Sequence, residues 1–283
     1  MSMVGLLMRL LETVDGAQIL FYRSISLALI IIFIACVRRN IWPVKFFFML
    51  DLTDLKIGST LSIAFSAYVF AMLNTSVAST LFILSMSPFF AALFSWLISG
   101  ERPKEVTLFL AGIAILGVFV MVGSANRLAY SLGNFYAILS AAAFAATLVL
   151  VRASKKEDML GGNFLAGLLC LLIGYSYAVL LGNGLSVTGL DLLLILVMGA
   201  FAIGLGIALV TWGGSHLPAT DTSLLVLLES VLGPIWVWIL VDESMTNSEM
   251  FGGILVLLAV AGQSCFIRFA KQKTNFLCRV NKQ

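Results

Sequence analysis

The sequence predicts an all-α fold: a polytopic membrane helix bundle of two inverted five-helix repeats, a ten-helix frame whose first helix is reduced to a half. Three observations predict it. Of the 283 residues, 61% are hydrophobic and only 11% charged; long apolar runs recur from one end to the other; and the second half can be laid on the first. A soluble chain carries about 45–50% apolar and about 25% charged residues. The polar pieces between the runs are too short to build a core of their own. The runs are continuous where barrel strands would alternate with a period of two, which excludes a β-barrel.

A helical span needs about 20 apolar residues. The first apolar piece, from Met1 to Leu11, is too short to cross. Nine complete spans follow, at 18–37, 57–75, 77–98, 106–123, 132–151, 163–182, 190–212, 219–241 and 249–269. Turn-prone or charged pieces separate them, such as Gly100-Glu101-Arg102-Pro103-Lys104 and Gly182-Asn183-Gly184. The longest connection, 40–56, sets Trp42 and Phe46-Phe47-Phe48 beside Lys45 and Lys56, the composition of a segment lying in the interface.

Shifting the chain by 142 residues lays Trp96 on Trp238, Glu101 on Glu243 and Thr80 on Thr222 without a gap. The first repeat is therefore expected over 1–126, incomplete at its N-terminal end, and the second over 132–270, followed by a basic tail at 271–283. The same shift carries the span at 132–151 onto a helix of which Met1 to Arg9 would be the surviving end. An odd number of spans per repeat makes the two halves enter the membrane from opposite sides, as in many transporter folds.

The charges give the orientation. Arg38, Arg39, Lys45, Lys56, Arg102, Lys104, Arg152, Lys155 and Lys156 fall on one side, joined by Arg268, Lys271, Lys273, Arg279 and Lys282 at the C-terminal end. These are 14 of the 17 Lys and Arg. The opposite loops hold Arg127, while Arg9 and Arg23 lie in or near spans. By the positive-inside rule the first side and the C-terminus are cytoplasmic.

Other chemistries are unsupported. Cys36, Cys170, Cys265 and Cys278 show no CxxC or CxxH spacing, so neither a disulfide framework nor a metal site is expected. The one histidine, His216, argues against zinc. GxxxxGK[ST] is absent, and no cofactor or nucleic-acid partner is expected. An intramembrane enzyme would need a nucleophile with a base, or paired aspartates within spans, and neither is evident.

Phe21-Tyr22-Arg23 at the start of a span, and the run Ser87-Pro88-Phe89-Phe90 through Trp96 to Gly100-Glu101-Arg102, resemble motifs of the EamA-type transporters of the drug/metabolite transporter superfamily. The second copy of that signature runs from Glu229 to Glu243, with Ser230 where a proline is usual and Asp242 in place of glycine. The resemblance covers nearly the whole chain. It implies ten helices in two inverted repeats around a central pathway, moving small metabolites across the plasma membrane, the inner membrane of a bacterium. Pro88, Trp96, Glu101, Trp238 and Glu243 are its signature positions and read as structural.

Glu229 is the foremost pathway candidate, since a carboxylate near the middle of a span is expensive unless neutral, partnered or facing water. A hydrogen-bonded packing role is the alternative. Arg23 follows: its guanidinium must pair, face water or snorkel outward, so anion binding and snorkelling are both open. Tyr68, Asn74, Trp212, Trp236 and Gln263 are further candidates to line a pathway. With so few charges inside, the expected substrate is a small neutral, zwitterionic or amphipathic metabolite, amino acids included, exported by alternating access, either in exchange for protons at Glu229 or by facilitated diffusion. A receptor or structural membrane protein that transports nothing is the rival reading.

Overall fold

In order along the chain the helices are α1 (Val4–Arg9), α2 (Gly16–Arg39), α3 (Pro43–Phe48), α4 (Leu52–Asn74), α5 (Val77–Leu84), α6 (Ser87–Ser99), α7 (Glu105–Gly123), α8 (Leu128–Ser154), α9 (Leu160–Leu180), α10 (Gly189–Val197), a π-helix (Met198–Leu205), α11 (Ala219–Val241) and α12 (Asn247–Val280). They come from a computed structural model that describes residues 2–11, 14–100, 102–123, 128–154, 159–180, 184–207, 209 and 219–280.

Among the described residues, seven helical segments are long and apolar enough to cross a membrane: Gly16–Arg39, Leu52–Asn74, Val77–Ile98, Glu105–Val122, Ser131–Ser154, Leu160–Leu180 and Asn247–Phe266. Gly189–Leu205 and Leu228–Val241 are shorter apolar helices. The outer face is as apolar as the interior. On α7, Phe109 and Phe119 are exposed while Ala114 and Met121 are buried, which suits a bundle whose solvent is lipid. The expected interfacial segment is α3, which buries Phe46 and leaves Trp42 and Phe48 open.

Local chemistry sets the boundaries. Asp15 and Gln18 form a capping box that starts α2, and Asp51 with Asp54 does the same for α4. Asn40 and Gly100 end α2 and α6 in the left-handed region, at φ 50° and 71°.

Two expected spans are broken. The span at 77–98 divides at Ser85-Met86, because Pro88 has no N–H for the Leu84 carbonyl, where α5 stops. The span at 190–212 passes from α-helix into π-helix. Pro234 lies inside α11, which continues through it, and deprives the Ser230 carbonyl of its helical partner. Ser85, at the interruption between α5 and α6, lies with its Oγ 2.6 Å from Ser230 Oγ. The last helix is longer than the span at 249–269, since no glycine or proline interrupts residues 263–280 and the basic segment continues the helix.

The α4 helix lies against α8 and α9, α2 against α9 and the π-helix, and α7 against α12. The last contact is backbone on backbone. A Cβ on Gly117 would stand 2.7 Å from the Gly252 carbonyl oxygen, so only glycine permits this approach. The short α1 packs on α11 and buries Val4, Leu6 and Met8.

Candidate functional site

Two turns inside the Asp15 cap, α2 carries Arg23 into the core of the bundle, where it is 0% exposed. Nη2 donates to the Phe65 carbonyl oxygen at 3.3 Å, and the guanidinium carbon sits 5.6 Å from the centre of the Phe65 ring. Nε and Nη1 have no hydrogen-bond partner among the described residues. A guanidinium stays charged, so leaving its donors unpaired inside a membrane protein is costly.

The walls around it are polar but uncharged. On α9 the Cys170 thiol donates to the Ser62 carbonyl oxygen at 3.5 Å and lies 3.8 Å from Ser66 Oγ. On α4, Tyr68 is partly buried against the core, one turn beyond Phe65, whose carbonyl oxygen takes the Arg23 hydrogen bond. Glu229 lies half-buried on α11. A further wall beside Arg23 is the π-helix. Its Gly199 presses on the turn holding Arg23, so a Cβ there would overlap Ser26 Oγ and the Arg23 carbonyl oxygen. Short π segments often mark functional positions in helices.

The other predicted positions spread outward. Asn74 closes α4 by donating to the Phe70 carbonyl oxygen at 2.7 Å. Gln263 on α12 is buried, and its Oε1 has no partner among the described residues. Trp236, Trp96 and Trp238 are partly exposed on the bundle surface. Trp212, Glu101 and His216 lie outside the described residues.

A second polar cluster sits where α1, α4, α5, α11 and α12 converge at one end of the bundle. Arg9 pairs with Glu243 at 2.6 Å and also donates to the Met72 and Thr75 carbonyl oxygens at 2.9 and 2.8 Å. Glu249 accepts from Ser79 Oγ at 2.8 Å, from Ser76 Oγ, and from the Thr246 N–H at 2.8 Å. Of this group, sequence reasoning singles out only Glu243. The signal for Glu249 is local: Thr246-Asn247-Ser248-Glu249 is a capping-box sequence. The pairing of Arg9 with Glu243, 234 positions apart, has no local sequence signal.

Helices long and apolar enough to cross a membrane, packed around a buried arginine, mark a multi-pass membrane protein. The chain belongs to the EamA-like transporter family, whose sequence profile matches residues 1–123 and again 131–264. It is similar to the pseudopaline exporter CntI of Pseudomonas aeruginosa strain UCBPP-PA14, 26% identical over 195 residues, which are 68% of this chain and 67% of that protein. The protein of the same name from strain PAO1 is 27% identical over the same shares. A crystal structure superposes with a TM-score of 0.60 at 17% identity, covering 95% of this chain and 98% of the other, a likeness of fold.

Proposed function

We propose that the protein is a secondary transporter that exports small amphoteric metabolites by alternating access. The observation that carries this reading is Arg23, fully buried with Nε and Nη1 unpaired among the described residues, while Glu229 is a second ionisable group within an apolar helix. A solute with a carboxylate and an amine supplies the charge each end lacks: the carboxylate meets Arg23 and the amine, or a proton in exchange, meets Glu229. The export direction rests on similarity to proteins named as exporters. The two profile matches support inverted repeats at 1–126 and 132–270, with the pathway between them.

The lysine and arginine distribution supports a cytoplasmic C-terminus in the bacterial inner membrane. A cysteine introduced just after Lys271, in a background free of the native cysteines, should stay unlabelled by an impermeant maleimide in intact cells. Prompt labelling there would reverse the topology.

Transport is tested in sealed vesicles with radiolabelled amino acids and their methyl esters, with and without a pH gradient. An imposed gradient is expected to raise exchange of the free amino acids several-fold in the parent protein and to have no effect in Glu229→Gln. If the gradient leaves the parent unchanged, proton coupling is wrong. If Glu229→Gln behaves as the parent does, Glu229 is a packing residue.

A further inference from the structure

We propose that the cluster of Arg9, Glu243, Glu249, Ser76 and Ser79 is the gate that shuts the pathway at the end of the bundle away from the basic loops. The inference rests on the transport reading above and concerns residues remote from the Arg23 site.

The cluster holds the two parts of the chain together. Arg9, Met72, Ser76, Val77 and Ser79 precede residue 126, whereas Glu243 lies in the connection between α11 and α12 and Glu249 in the first turn of α12. Both glutamates grip the start of α5: Glu243 accepts the Val77 N–H at 3.0 Å, and Glu249 accepts the Ser76 and Ser79 hydroxyls. Arg9 closes the ring from the other side, joining Glu243 to the end of α4 through Met72 and Thr75. Removing the ring would free the ends of α5 and α11 from each other at this face.

Directly against the ring lies a small pocket lined by Ser76, Val77, Pro234, Val237, Glu243 and Met245. Farther along, Ser85 at the interruption between α5 and α6 meets Ser230, whose carbonyl lacks a helical partner because of Pro234 inside the continuous α11. The segments between the ring and these proline-weakened points are short arms, and helices bend most readily at proline. The bonds across the ring are polar, and Arg9 and Glu243 are each 24% exposed, so water can take the place of each bond as it opens. An apolar seam offers no such exchange. The arrangement is that of a latch: tight when its bonds are made, open without loss of the apolar packing below.

The test uses the full chain with its four native cysteines replaced by serine. Val237→Cys, in the pocket behind the ring, reports opening through its labelling by an impermeant maleimide in intact cells; Ala141→Cys, buried elsewhere, reports global loosening. Labelling at 237 is expected to be slow in the parent, at least tenfold faster with Arg9→Gln or Glu243→Gln, and slow again in the swapped pair Arg9→Glu with Glu243→Arg. Labelling at 141 should stay constant. Unchanged labelling at 237, or equal increases at both positions, overturns the gate and leaves the pair a structural staple. In vesicles, Arg9→Cys with Glu243→Cys bridged by a short bis-methanethiosulfonate linker should stop amino acid counterflow until a reductant releases it. Counterflow that persists through the bridge refutes the gate, whereas absent counterflow in the unbridged parent refutes the transport reading and leaves the labelling result standing.

Discussion

Replacing Arg23 with methionine is expected to raise the thermal stability of the purified protein while abolishing transport. Among the described residues Arg23 makes one hydrogen bond, to the Phe65 carbonyl oxygen at 3.3 Å, and one ring contact, and two of its nitrogens have no partner at zero exposure. Those two contacts offset only part of the cost of holding a permanent charge away from water. Exchange of poorly compensated buried charge for apolar groups of similar volume is often stabilising, by about 1–4 kcal/mol. Methionine keeps the length and bends to fill the space. Thermal unfolding in detergent reads the gain, and vesicle counterflow should fall at least about 100-fold, since a site built to bind a polar group discriminates strongly once that partner is lost. Arg23→Lys keeps the charge without the fork and should fall between. A methionine variant that is less stable yet still transports would make Arg23 a packing anchor and remove it from the pathway.

This opposition between stability and activity explains what could be read from the sequence. Hydropathy reports whether a segment prefers lipid, so the spans at 18–37, 106–123 and 219–241 fall on α2, α7 and α11 to within a few residues. It is blind to backbone hydrogen bonding, so the span at 77–98 gave no sign of stopping at Leu84, although Pro88 was visible four positions on. The π-helix at Met198–Leu205 is harder still, because Gly199, Gly204 and the alanines between them suit an α-helix equally well. Where it runs, Gly199 lies close against α2.

The candidate site divides in the same way. Arg23 and Glu229 stand out because ionisable residues are rare within spans, and the structure buries Arg23 completely. Arg9 carried no such flag. One cation in a short N-terminal helix resembles any helix-end charge, and its partner Glu243 resembles a solvated loop acid. Only the fold, which sets the end of α1 against the connection between α11 and α12, turns them into an ion pair. Sequence patterns reveal residues costly in their own segment and miss those that matter only through a distant neighbour.

Gly199→Ala is expected to be far more damaging than Gly233→Ala, although both glycines lie in apolar helical segments. At Gly233 the new Cβ would meet the terminal Cδ1 of Leu81, with the next atom 3.6 Å away. A leucine methyl can rotate aside, and alanine favours helix over glycine, so the net change should stay within about 1 kcal/mol. At Gly199 the obstacles are Ser26 Oγ and the Arg23 carbonyl oxygen, and the second is backbone inside α2 that no rotamer can move. The π-helix would have to retreat from α2, costing about 3 kcal/mol at the upper end of overpacking penalties. Thermal unfolding of the two variants side by side reads the contrast, and equal losses would mean that side-chain and backbone contacts yield alike here. Adding Ser26→Ala to Gly199→Ala removes the hydroxyl and leaves the carbonyl in place. Recovery should therefore be partial, and the loss that remains measures how rigidly the backbone at Arg23 is held, which is the quantity a positioned guanidinium depends on.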